Sequence, residues 1–241
     1  MNHLLRPLLS LVASVVLLAA SLPATAGSLV RFATNVGEFD VELYDAAMPI
    51  TVANFLTYVN ADRYDSTIIH RSTTYNPADI QIVQGGAYLL SGGSLLPVTT
   101  DPPIVLESGS ATNVRGTIAM ARTSAPNSAT SQFFFNVQSN PALDGNYAVF
   151  GNVVGAAGLA AIDAIGAVPV YDVSVQLGAA FTELPLLNPS LDPSSVVLVQ
   201  SVNVVPEPTT LALAIAGLTA VAASRRRREG QHDLLPLKPA P

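Results

Sequence analysis

The sequence has no Cys and no Trp. Without Cys there is no disulfide framework, no thiol nucleophile and no thiolate metal site. Lysine occurs once, at Lys238, and histidine only at His3, His70 and His232. Between residues 27 and 205 there are five Arg and no Lys against 14 acids, a formal charge of −9. That balance argues against nucleic acid and anionic lipid as partners of this stretch. One His in the same stretch supplies neither a metal-ligand set nor a nucleophile–base–acid triad. No metal and no cofactor is expected.

Both ends read as targeting segments. Residues 1–26 carry His3 and Arg6, the apolar run LLSLVASVVLLAAS, and then Ala24-Thr25-Ala26. Charge, apolar core and small residues in that order predict a signal peptide cleaved after Ala26. The other end, Val205–Arg228, reads VPEPTTLALAIAGLTAVAASRRRR. Its uncharged run Thr209–Ala223 would span about 22 Å as a helix, short of the roughly 30 Å hydrocarbon core. Four Arg follow, and basic clusters stay on the cytoplasmic side. This stretch resembles the PEP-CTERM sorting signal: a Pro-Glu-Pro box at Pro206–Pro208, a short transmembrane helix and an Arg cluster. The resemblance implies export machinery, transient or lasting attachment to the inner membrane, and an exosortase-like processing enzyme as partners. The tail at 229–241 is longer than such signals usually carry.

The remaining residues, 28–204, are enough for one well-buried domain. Ser28–Ala33 and Gly37–Leu43 alternate as two strands joined at Asn35-Val36-Gly37. Thr51 can cap a helix whose Val52, Phe55, Leu56 and Val59 share one face. Strand-like runs follow at Thr67–His70, Ile80–Gln84, Gly116–Ala121, Gln132–Val137 and Tyr147–Val154. Gly155–Ile165 is a second helix with Gly166 at its C-cap, and Val196–Val204 is a last strand. Residues 167–195 read as a long ordered loop or an added hairpin. Many short strands with two helices point to a mainly β fold, a barrel with helical caps.

SQFFFN at Ser131–Asn136 places three of the eight Phe side by side. On a strand, Phe133 and Phe135 share one face and Phe134 takes the other. Two rings serve a core; the third is left for another surface.

Four blocks carry a wider resemblance: GEFDVELYDAAMPITVANFLTYV, IIHRSTTYNPADIQIVQGG, RGTIAMARTSAPNSATSQFFFNV and LDGNYAVFGNVV. Together they resemble a cyclophilin-type peptidyl-prolyl cis–trans isomerase of the bacterial kind. The resemblance implies a closed eight-stranded antiparallel β-barrel capped by two α-helices, with a proline pocket on its outer surface. It also implies proline-containing polypeptides as partners. Arg71 matches the family's catalytic arginine, Gln84 the glutamine that orients it, and Phe134 a pocket phenylalanine. Ile82 stands for an apolar pocket residue, Leu143 for a pocket wall, and Ala121, Arg122 and Gln132 for the groove of the residue before proline. Tyr147 stands where many relatives carry His. His70 is expected to brace its strand.

One position departs from the family pattern. Gln81 falls where a second pocket Phe is expected, and the preceding loop Ser72–Asp79 is longer than usual. Either Tyr75 or Ile80 fills the gap, or the isomerase is weakened and the domain serves as a proline-peptide binding module. If Gln81 does line the pocket, Gln81→Phe restores apolar contact.

Overall fold

The structure is a computed structural model that describes residues 27–74, 80–109 and 111–206. The expected signal peptide at 1–26, Tyr75, the expected C-terminal helix at 209–223 and the tail 229–241 lie outside the described residues. Among the described residues, no helix is long and apolar enough to cross a membrane.

The first strands are β1 (Leu29–Thr34) and β2 (Glu38–Leu43), and they form the expected hairpin. Its turn is held by Thr34, whose hydroxyl donates to Gly37 O and accepts from the N–H groups of Val36 and Gly37. Helix α1 (Pro49–Asn60) follows, with Val52, Phe55, Tyr58 and Val59 buried. The Thr51 cap is not what starts it. Met48 is the N-cap and Pro49 opens the helix, where its missing N–H costs nothing. A remote carboxylate, Glu107, accepts the first-turn N–H groups of Ile50 and Thr51 at 3.1 and 2.6 Å.

Next come β3 (Thr67–Ile68), β4 (Arg71–Ser72), β5 (Ile82–Gly85), β6 (Tyr88–Ser91), β7 (Ser94–Pro97), β8 (Thr117–Met120), β9 (Phe133–Asn136) and β10 (Val149–Val153). Helix α2 (Gly155–Gly166) leads to the short pair β11 (Val170–Tyr171) and β12 (Leu184–Pro185), with the single-turn α3 (Ser174–Leu177) between them. Strand β13 (Leu198–Val205) ends the described chain. Gly166 is the last residue of α2 rather than its cap. Its missing side chain lets the helix end lie against Val137 and Thr74.

Eleven strands form one strongly curled antiparallel sheet in the order β4-β5-β9-β8-β10-β2-β1-β13-β3-β6-β7. The mainly β architecture matches the expectation, but the strands number more than eight. The hairpin β6–β7 turns on Gly92-Gly93, both with positive φ. The run expected at Thr67–His70 is divided into β3 and β4. Ile69 and His70 join them, Ile69 N–H donating to Val197 O and His70 N–H to Gln84 O.

Inward residues of the curl form the main core. Phe32, Phe39, Phe55, Phe133, Phe135 and Phe150 are its buried phenylalanines, with the buried rings of Tyr58 and Tyr64 beside them. Phe133 and Phe135 pack edge-on to Phe32 at 5.5 and 5.3 Å. A second cluster, including Ile68, Phe181, Leu184 and Val196, fixes the 167–195 segment against the sheet. A third lies on the outer face: Ile82, Ala119, Phe134, Leu143 and Val149.

Candidate active site

Strand register builds the site. Arg71 lies opposite Gln84, Gln84 opposite Phe134, and Phe134 opposite Ala119. Directly paired residues point to the same face, so these four form one row across β4, β5, β9 and β8. The row runs from a guanidinium, through an amide, to an aromatic ring. Phe134 is buried at 2% exposure yet belongs to the outer cluster, not the core that holds Phe133 and Phe135.

Above the row lies a cleft of about 260 Å³ lined by Arg71, Ile82, Gln84, Ala121, Arg122, Phe134, Leu143 and Tyr147, with Thr73 and Ile80 completing it. Eight of the ten residues singled out from the sequence therefore meet in one place. Tyr147 stands edge-on to Phe134, with ring centroids 5.5 Å apart. The Arg122 guanidinium sits over the Tyr147 ring at 5.0 Å and donates to the carbonyls of Asn146, Thr123 and Ser124. Gln132 stands beside the cleft and accepts the amide N–H of Gln84 at 2.9 Å.

Gln81 is not among the cleft-lining residues. It is buried, its amide nitrogen lies 3.4 Å from Thr73 O, and its backbone N–H and C=O both bond the Asn140 side chain. Period-two alternation puts it on the opposite side of β5 from Ile82 and Gln84. Ile80, half-exposed, lines the cleft instead. The gain expected from Gln81→Phe therefore falls away, because a Phe there would displace a buried amide rather than extend the pocket wall.

Several residues are not visible from sequence. Asn136 and Asn140 form a buried amide chain with Asn113 and Thr117, and Asp144 accepts from Asn113. This chain seats the turn Pro141–Leu143 and so places Leu143 in the cleft. Thr73 ties both ends of its loop, its hydroxyl donating to Ile80 O and accepting from Ile82 N–H. Glu183 bonds Arg71, its Oε2 2.6 Å from Nε. An Asn-rich turn and a carboxylate distant in sequence give no local signal.

His70 points away from the cleft, buried edge-on to Tyr88 at 5.4 Å. Burial, with a smaller contribution from the Arg71 charge, lowers its pKa to about 4. A value below the ordinary ~6.5 means that the unfolded chain takes the proton first. Stability is full above pH 6.5 and falls as pH drops towards 4. The difference corresponds to about 3 kcal/mol. Chemical denaturation at about pH 7 and pH 4 should show wild type losing that much more stability than His70→Gln; equal losses would contradict it.

Among the described residues, no group of three or more His, Asp and Glu could hold a metal ion. Fold and cleft together define a curled-sheet protein with a site on the outer face of the sheet, where a guanidinium and an amide border an apolar floor. Comparison with known proteins narrows this. Residues 29–179 match the model of the cyclophilin type peptidyl-prolyl cis-trans isomerase family, and residues 204–228 match the PEP-CTERM protein-sorting motif. A peptidyl-prolyl cis-trans isomerase of Acinetobacter baylyi is 40% identical over 158 residues, covering 63% of this chain and 79% of the relative. Peptidyl-prolyl cis-trans isomerase A of Dickeya dadantii is 40% identical over 156 residues, 61% of this chain and 78% of that one. The crystal structure of a Cryptosporidium parvum cyclophilin type isomerase, 23% identical, covers 75% of this chain and 99% of its own with a TM-score of 0.54. The chain belongs to the cyclophilin-type peptidyl-prolyl cis-trans isomerases.

Proposed function

We propose that the cleft twists X–Pro bonds of exported polypeptides and so assists the folding of secreted or envelope proteins. The observation that carries this is the row Arg71–Gln84–Phe134, which sets a cation beside an apolar seat on an open surface. Rotation about an X–Pro bond is opposed by amide resonance, with a barrier of about 18–20 kcal/mol. Phe134, Ile82 and Leu143 hold the pyrrolidine ring. Arg71 donates to the prolyl nitrogen as the bond twists and its lone pair leaves conjugation. That contact is strongest in the transition state, so it speeds rotation rather than only tightening binding. Gln84, oriented by Gln132, bonds the substrate carbonyl, and Ala121 and Arg122 border the residue before proline. No nucleophile, metal or cofactor takes part.

A protease-coupled assay with short Ala-Pro peptides tests this. Turnover clearly above the uncatalysed rate supports the isomerase, whereas binding without acceleration leaves the alternative, a catalytically weak proline-peptide module displayed in the envelope or extracellular matrix.

The signal-peptide pattern and the sorting motif support export to the periplasm, envelope or exterior, with the C-terminal helix in the inner membrane before an exosortase-like enzyme acts. Mass spectrometry of the native protein should find both hydrophobic ends missing. A product that keeps Arg225–Arg228 would leave a simple C-terminal anchor in place of sorting.

A further inference from the structure

The family match ends at residue 179, and the side chain that grips Arg71 comes from just beyond it. Glu183 Oε2 meets Arg71 Nε at 2.6 Å. Its place does not depend on that bond. The Glu183 carbonyl accepts the Ser72 N–H at 2.9 Å, so the segment is laid along β4 beside Arg71. The next residue, Leu184, is fully buried in the second cluster and pairs with Tyr171 in the β11–β12 hairpin. The β11–β12 hairpin thus brings the Glu183 carboxylate to the Arg71 guanidinium. Glu183 itself is not part of the cleft lining, whereas Arg71 is. Gln84, the cross-strand neighbour of Arg71, gives its amide N–H to Gln132.

We propose that Glu183 is a positioning residue for the isomerase reaction: its carboxylate holds Arg71 by the Nε edge and keeps the guanidinium plane set for the prolyl nitrogen. The inference rests on the isomerase reading above. A guanidinium is a flat fork on a long flexible stem, so a bond at Nε fixes the plane and leaves the terminal N–H groups to the substrate. A donor already in place at the twisted amide needs no reorganisation during the reaction. The orienting partner of Arg71 is then a carboxylate supplied from outside the family-matched segment.

Kinetics of the full chain test it, with kcat and KM measured separately for Glu183→Ala and Glu183→Gln, alone and combined with Arg71→Ala. Both substitutions keep the backbone bond to Ser72, and melting curves check that the hairpin stays seated. Glu183→Ala should lower kcat about tenfold, the loss of one charge-assisted orienting bond, with KM nearly unchanged. Glu183→Gln, which retains an oxygen acceptor at the same reach, should recover much of that loss. With Arg71→Ala already present, Glu183→Ala should cost nothing further. An unchanged or higher kcat in Glu183→Ala overturns the positioning role, as does an equal loss with and without Arg71. A wild-type chain without turnover overturns the isomerase reading, and the positioning role with it. Activity that is normal in wild type and insensitive to Glu183 overturns the positioning role alone.

Discussion

Replacing Arg71 with Ala should lower kcat/KM for proline peptides by roughly ten- to a hundred-fold while the protein melts near its wild-type temperature. A hydrogen bond from a charged donor is worth about 1.5–3 kcal/mol, and each 1.36 kcal/mol of lost transition-state stabilisation is about tenfold in rate. The effect on stability is small because the Arg71 side chain is 42% exposed and its ion pair with Glu183 is only partly buried. Arg71→Lys should recover little. An ammonium is a point charge and cannot offer one edge to Glu183 and the other to a substrate. Urea denaturation with the coupled assay separates the two effects. A well-folded Arg71→Ala that isomerises as fast as wild type would sink the mechanism.

Phe134→Ala should damage both binding and fold. The ring is the floor of the cleft and packs against Tyr147, Ile82, Leu143 and Val149 in the outer cluster. Its removal takes away most of the apolar surface that would meet the pyrrolidine ring, so KM should rise about tenfold or more. Stability should fall by about 2 kcal/mol, below the ~3–5 kcal/mol usual for a core Phe, since the space left opens to the cleft. Phe133→Ala is the control. That ring contacts Phe32, Phe55, Tyr64 and Phe135 inside the main core and should lose the full amount. Equal KM changes in the two variants would mean that Phe134 has no special place in the site.

The contrast between those neighbouring rings is legible in the sequence. Strand periodicity alone divides Phe133 and Phe135 from Phe134, and the two groups do fall into different clusters. The hairpin at Asn35–Gly37 is equally plain. Other features are hidden for physical reasons. Thr51 resembles a cap locally, but Glu107, brought close only by folding, takes the helix N–H groups. Gly92-Gly93 marks a turn, yet the strands around it are only partly buried and show little alternation. Gln81 stands three residues before Gln84, where the family pattern expects a pocket Phe, but strand alternation turns it to the other face and Ile80 lines the cleft. Glu183 reaches Arg71 across 112 residues, a distance over which composition and spacing carry no information.

Exchange NMR on a short Ala-Pro peptide tests the central claim most directly. Cis and trans signals of the same proline interconvert over tens of seconds or longer without catalyst. A small amount of wild-type protein should produce exchange cross-peaks between them, and Arg71→Ala should weaken those cross-peaks about tenfold or more at equal peptide occupancy. Peptide that shifts the resonances of Phe134 and Tyr147 but shows no exchange between its cis and trans signals would contradict it: the cleft would then hold proline without turning it.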